Sequence, residues 1–304
     1  MSSRSASSPP PAFRRDDPIK GILLMLLAMV VFTSQDTVSK LLTEDYHSLE
    51  VTWGRYLFHT LFMLPLLAGR GGWLRLRTAH PRLQVMRGLG MMASSLLFIL
   101  GLEALPIAEA SAIGFISPLF VTAASVLFLG EAVGWKRWLA VLVGFGGVLV
   151  VVRPGTAAFN PAALFPVAAA VGWTVALIAS RKIRTDDAPL TTLIHTAWTG
   201  LAALSLVVPF FWTPPDLSGW VLLAGQGALS ALAQYLLIHA FAVAPASLLA
   251  PFNYSQIVWA TLAGFVVFGA LPDLWTLVGA AIIIASGLCI WYRERRVGGE
   301  PVEA

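Results

Sequence analysis

In a chain that is otherwise apolar, a few polar side chains recur at helical spacing. Gln35, Asp36 and Lys40 share one apolar run, with Asp36 and Lys40 four residues apart in the order that favours an ion pair. Arg55 and His59 are again four apart in the next run. Such groups can pair locally near a membrane surface, with Asp36 or Glu50 as the partner of Arg55 and His59 simply packed. Alternatively Asp36, Lys40 and His59 form an outer gate or a proton site. Gln35, one turn below Lys40, is the better candidate for a binding cavity.

Further along, Gly88, Gly90, Ser94 and Ser95 form a small-residue face beside Met91 and Met92. That face either lets two helices approach closely or makes a cavity wall whose thioethers adapt to the solute. Ser117-Pro118 interrupts a run next to Phe115 and releases a backbone carbonyl. Trp173 and Thr174 fall mid-run, away from the interface where Trp usually anchors, so Trp173 is either core or a wall for an apolar or aromatic ligand. Gln234 stands one turn after Ser230. Asn253, Tyr254, Ser255 and Gln256 follow in succession, too many polar groups to face lipid. Asn253 and Tyr254 are the expected solute contacts, with Ser255 or Gln256 bonding a neighbouring helix.

The candidate binding set is therefore Phe32, Gln35, Met91, Ser95, Phe115, Pro118, Trp173, Gln234, Asn253 and Tyr254. It offers amides, hydroxyls, rings and thioethers with no assured full charge. Phosphate-bearing solutes would want buried Lys or Arg, so a neutral or zwitterionic solute fits better. No catalytic residue is assigned: the sequence has no His-Glu-x-x-His and no intramembrane His/Asp/Ser set at catalytic spacing. An intramembrane transferase is the weakest alternative. The single cysteine, Cys289, excludes an internal disulfide and a cysteine metal cluster. No metal or cofactor is expected.

The elements that must position these groups follow from composition. Of 304 residues, 57% are apolar and 12% charged, about half the charge of a soluble domain. This is the signature of an integral, all-α membrane protein. Ten spans are expected: Ile19–Leu42, Leu49–Ala68, Leu83–Ala104, Ile107–Leu129, Trp135–Val152, Pro161–Ser180, Pro189–Phe210, Leu217–Val243, Ala246–Phe268 and Leu274–Tyr292. Pro106 and Pro245 mark the two least obvious starts. Residues 1–18 read as a disordered cytoplasmic N-terminus without a signal-peptide cleavage site, and 293–304 as a cytoplasmic tail.

With the N-terminus inside, 17 of the 20 Lys and Arg residues fall on the cytoplasmic side, among them the cluster Arg70–Arg87, and Gly72 and Asp186 lie in cytosolic loops. Both termini are then cytoplasmic. The basic residues sit in loops rather than in a stripe, which excludes nucleic acid as a partner.

The chain also echoes itself. Ala104, Ala110 and Ser111 match Ala240, Ala246 and Ser247 at a shift of 136, and Gly130 matches Gly269 at 139. Ala28 and Lys40 match Ala170 and Lys182 at 142. Residues 19–155 and 156–292 thus read as two five-helix repeats. An odd helix number inserts the second in the opposite sense, an architecture of secondary transporters with the site between the halves.

With Pro118, then Gly130-Glu131, then Gly147 in the first half, the chain resembles the drug/metabolite transporter superfamily, EamA type, over about Ile19–Tyr292. Within it the chain looks most like the YddG group of amino-acid exporters. The second half departs from the motif, with Ile257 in place of Pro and Ala270 in place of Glu. The resemblance implies export of neutral, aromatic and other amino acids or similar metabolites across a bacterial inner membrane by alternating access. It implies a cavity walled by spans 1, 3, 4, 6, 8 and 9, and spans 5 and 10 packed to the side in a lipid-embedded monomer or homodimer.

Overall fold

The computed structural model describes residues 17–67, 76–130, 134–183, 187 and 189–297. Among them the regular elements are all helical: α1 (Pro18–Leu42), α2 (Ser48–Met63), α3 (Pro81–Ala104), α4 (Ile107–Gly114), α5 (Ser117–Leu129), α6 (Trp135–Val152), α7 (Leu164–Ile183), α8 (Pro189–Val207), α9 (Leu217–Val243), α10 (Ala246–Leu249), α11 (Ser255–Phe268) and α12 (Leu274–Val297). Short 3-10 turns at Leu64–Leu67, Pro161–Ala163, Val208–Phe211 and Ala250–Tyr254 extend or join them. Among the described residues, six stretches are long and apolar enough to cross a membrane: Pro18–Leu42, Pro81–Ala104, Ile107–Leu129, Pro161–Ile183, Leu190–Phe211 and Leu217–Val243. Trp138–Val152 and Leu274–Cys289 are shorter apolar helices.

Several expected helix ends move by a few residues: α2 begins at Ser48, α3 at Pro81, and α7 runs on to Ile183. Pro18 already belongs to α1, because Asp17 caps it: the Asp17 carboxylate accepts from Lys20 N at 3.0 Å, and Asp17 N donates to Val243 O at the end of α9. The expected tail beginning at 293 is shortened, since α12 continues to Val297. Gly72, Glu131 and Asp186 lie outside the described residues, as do residues 1–16 and 298–304.

Two apolar runs are broken rather than continuous, each for a local reason. Pro118 has no N–H, and its ring displaces the carbonyl four residues back, that of Gly114, where α4 ends. In the later run the proline is Pro251, and the chain passes through the 3-10 turn Ala250–Tyr254 before α11 begins. The second half thus has its own proline break, earlier than the position of Ile257 where the motif expected one. Gly130 (φ 68°) and Gly269 (φ 64°) close α5 and α11 in the left-handed region, which a side chain disfavours. The matched glycines of the two halves therefore do the same backbone job.

Packing concentrates on three pairs, α3 with α7, α1 with α9, and α6 with α12. The first closes on glycine: a Cβ on Gly90 would stand 2.8 Å from Gly172 O, and one on Gly172 would stand 2.8 Å from Gly90 O. In the third, a Cβ on Gly147 would meet Gly279 O at 2.9 Å, and Ser286 Oγ donates to Ala140 O. These are one contact seen twice, because Gly147 and Ser286, and Ala140 and Gly279, are each 139 residues apart. The ends of α6 and α12 are clasped by Arg153 and Asp273 at 2.7 Å.

Polar ties join the elements at their ends. Asp187, between α7 and α8, accepts from Ala79 N at 3.1 Å, from Gln84 Nε2 at 2.7 Å and from the Thr78 hydroxyl. Partial burial would raise its carboxyl, but those three donors outweigh it and hold Asp187 below the usual carboxylate range. Asp216, capping α9, is held down by Ser218 and by Gly219 N.

Candidate functional site

A polar pocket of side chains lies between α1, α2, α9 and α11, inside the apolar shell. Asp36 and Arg55 are 6% and 7% exposed, and Gln35 and His59 are buried beside them. Asp36 accepts two long bonds of 3.4 Å, one from its neighbour Gln35 and one from Gln256 across on α11. Asp36 and Arg55 act on each other electrostatically, yet no ion pair within 4.0 Å joins them; among the described residues that distance is met by Arg153 and Asp273. Arg55 Nη2, Gln35 Oε1 and Thr33 Oγ1 are buried without a hydrogen-bond partner, as is Trp259 Nε1 on the same side of α11 as Gln256. Unpaired polar groups in an apolar interior cost several kcal/mol on the usual estimates of about 2–7, so this concentration of them needs a function.

The structure separates the sequence candidates by what they touch. Lys40 makes no pair with Asp36. Its Nζ donates to Leu105 O at 2.8 Å and to Leu102 O, the carbonyl that Pro106 has no N–H to reach. Lys40 therefore ties α1 to the frayed end of α3, a packing duty. His59 Nδ1 lies 2.9 Å from Ser230 Oγ on α9. Ser95 lies close to the Tyr56 hydroxyl. Phe32 packs against the α1–α9 core with Phe252 and Trp259. Phe115, at the end of α4, stacks on Tyr254 at 4.9 Å and 32°. Met91, Pro118, Gln234 and Asn253 are half-buried. Ser255 bonds back to Phe252 O, leaving Gln256 as the one that crosses to its neighbour.

Trp173 is 41% exposed, and on an unexpected side. Leu164, Val171 and Val175 form one exposed apolar stripe of α7, and Phe165 is exposed about 80° from Trp173. At 100° per residue Trp173 lies about 180–200° from all three, between the α3 contact at Gly172 and the α5 contact that Arg181 makes with Ser125. The ring is thus exposed on a side of α7 that Leu164, Val171 and Val175 do not share. Trp173→Ala is expected to weaken solute exchange several-fold while purified yield and melting temperature stay unchanged. Parallel flux and thermal-unfolding measurements check this.

Three residues get no site role from the sequence. Arg87 was counted among the cytoplasmic basic loops, but it sits within α3. Its Nε donates to Ser180 Oγ at 2.7 Å, and its Nη1 donates to Thr192 O at 3.2 Å and to the Thr196 hydroxyl. Gln226, 139 residues on, does the same for α9, accepting from Ser39 Oγ at 2.9 Å and donating to Val51 O at 2.8 Å. Trp259 was also passed over, although it stands mid-run, the same signal that singled out Trp173. Asp36 and Arg55, which the sequence reading leaves outside the binding set, are both buried.

A membrane protein of packed apolar helices around a buried, incompletely paired polar centre is built as a carrier of small solutes. The chain belongs to the EamA-like transporter family, whose model matches residues 19–153 and again 160–292. It is a multi-pass membrane transporter of that family, and not an enzyme. It is 32% identical, over 91% of this chain and 94% of the relative, to an S-adenosylmethionine uptake transporter of Rickettsia bellii. It is 33% identical to a riboflavin transporter of Vibrio cholerae, over 88% and 92%, and 27% identical to a pseudopaline exporter of Pseudomonas aeruginosa, over 89% and 95%. A crystal structure of another protein superposes with a TM-score of 0.66 at 21% identity, covering 93% of this chain and 99% of that one, and speaks for the fold.

Proposed function

We propose that the protein is a secondary transporter that exports amino acids, or metabolites carrying an amino-acid group, across a bacterial inner membrane by alternating access. In this reading ten spans form two inverted five-helix repeats, residues 19–155 and 156–292, with both termini in the cytosol. The double match of the family model supports the repeat. So do the left-handed glycines at 130 and 269 and the mirrored bridges of Arg87 and Gln226. The proposed solute wall is Phe32, Gln35, Met91, Ser95, Phe115, Pro118, Trp173, Gln234, Asn253 and Tyr254, with Asp36 beside it.

One observation carries the reading: α1 and α2 bury polar atoms without partners, Thr33 Oγ1, Gln35 Oε1, Glu50 Oε1 and Arg55 Nη2, in a chain that is otherwise apolar. Groups left so hydrate or bind a polar solute when the halves part. Counterflow of labelled amino acids into proteoliposomes tests it. Saturable exchange of at least one proteinogenic amino acid is expected, and none for any of them would overturn it.

A second reading, the same fold moving another metabolite, is favoured by the relatives named for S-adenosylmethionine and riboflavin. The same vesicles loaded with those two compounds separate the readings.

A further inference from the structure

We propose that Asp36 and Arg55 form a headgroup clamp for the α-amino-acid moiety of the solute, Arg55 taking the carboxylate and Asp36, with Gln35 Oε1, taking the ammonium. The inference rests on the amino-acid reading above and names the chemistry that its site selects.

The geometry carries it. A guanidinium and a carboxylate buried together gain most from a direct, bidentate pair at hydrogen-bond distance. Here they are buried, on α1 and α2, and close enough to influence each other, yet they do not meet within 4.0 Å. Neither is satisfied elsewhere. Arg55 Nη2 has no partner. Asp36 receives two amide bonds of 3.4 Å, longer than the usual range for a charged acceptor. Gln35 Oε1, an acceptor that suits an ammonium, is unpartnered next to it.

Tyr56 on α2 also acts on Arg55, and Glu50, earlier on α2, keeps one buried oxygen without a partner. Lys40 is on the carbonyls of Leu102 and Leu105, Arg87 on Ser180, Thr192 and Thr196, and His59 on Ser230. The site therefore presents one basic and one acidic arm that do not meet within 4.0 Å.

The charge pattern discriminates among ligands. An anion alone would leave Asp36 facing a like charge, and a cation alone would do the same to Arg55. A neutral solute would leave both desolvated and unpaired. A zwitterion, whose opposite charges are two bonds apart, neutralises both arms at once. The rest of the solute meets rings and thioethers that impose less, so side chains of different size are accepted behind one fixed headgroup.

The test uses the unaltered full chain in proteoliposomes, with whichever amino acid shows the fastest exchange. Its methyl ester, which lacks the carboxylate, and its N-acetyl derivative, which lacks the ammonium, are added as competitors. Each is expected to compete on the order of a hundredfold or more weakly than the parent, as sites built for a polar group reject analogues lacking it. Arg55→Gln and Asp36→Asn are then expected to abolish exchange of the parent. Competition by either analogue as strong as the parent's overturns the clamp while leaving the amino-acid reading intact, as does undiminished exchange in both variants. If the unaltered protein exchanges no amino acid, the amino-acid reading itself has failed, and the clamp falls with it.

Discussion

Gly90→Ala and Gly172→Ala are each expected to lower the melting temperature of the purified protein, and the double variant to lower it by much less than the sum. The reason is the reciprocal contact of α3 and α7. A methyl on either glycine would stand 2.8 Å from the other's carbonyl oxygen, which is backbone and cannot swing aside. On Gly172 the methyl would also come within 2.9 Å of Ser94 N. The helices must separate by some tenths of an ångström, and insertion into a packed interface costs about 1–3 kcal/mol. In a membrane the loss is felt fully, since helix association there depends on close van der Waals packing rather than on expulsion of water. Once one methyl has forced the helices apart, the second finds the space already made, so the two effects do not add. Gly146→Ala is the control, because no atom lies within 4 Å of a Cβ there. Additive losses in the double variant, or an equal loss at Gly146, would refute the contact.

Much of this was legible in the sequence because it depends on local physics. Hydropathy located the helical runs, since a bilayer demands about 20 apolar residues of helix. Trp135–Val152 and Leu217–Val243 emerge with the expected ends. Gly130 and Gly269, matched in the sequence, both end helices in the left-handed region, because such a C-cap constrains residue type directly. What escaped depends on which groups the fold brings together. Arg87 lies close to a basic loop, so charge counting put it there, and only the approach of α7 and α8 turns it into a bridge. Lys40 looked like the partner of Asp36 by spacing, but the carbonyl orphaned by Pro106, 62 residues from Lys40 to its residue Leu102, draws it away. Its departure leaves Asp36 without a local cation. The break at Pro251 was overlooked because the motif fixed attention on Ile257.

The second large effect is expected at Gly287, a residue that touches no part of the proposed solute wall except the back of one ring. Tyr254 stands in the 3-10 turn ahead of α11, Phe115 at the break between α4 and α5, and the two are 139 residues apart. Their rings stack at 4.9 Å, joining the two broken runs where the helices are least able to hold themselves straight. Such a pair contributes about 0.5–1.5 kcal/mol beyond the area it buries. On its other side Tyr254 lies against α12, where a Cβ on Gly287 would come within 2.6 Å of Cε2 and nearer still to the phenol end. Gly287→Val therefore drives the ring off Phe115. Exchange should fall about as far as in Tyr254→Ala, by roughly 30-fold if a central aromatic anchor worth about 2 kcal/mol is lost. The cycle closes with Tyr254→Ala/Gly287→Val. Without a ring there is nothing to clash with, so the double variant should transport no worse than Tyr254→Ala alone. Gly287→Val with normal exchange would show that the stack bears no part in passage. A double variant markedly worse than both singles would show that Gly287 acts through the α6–α12 contact instead.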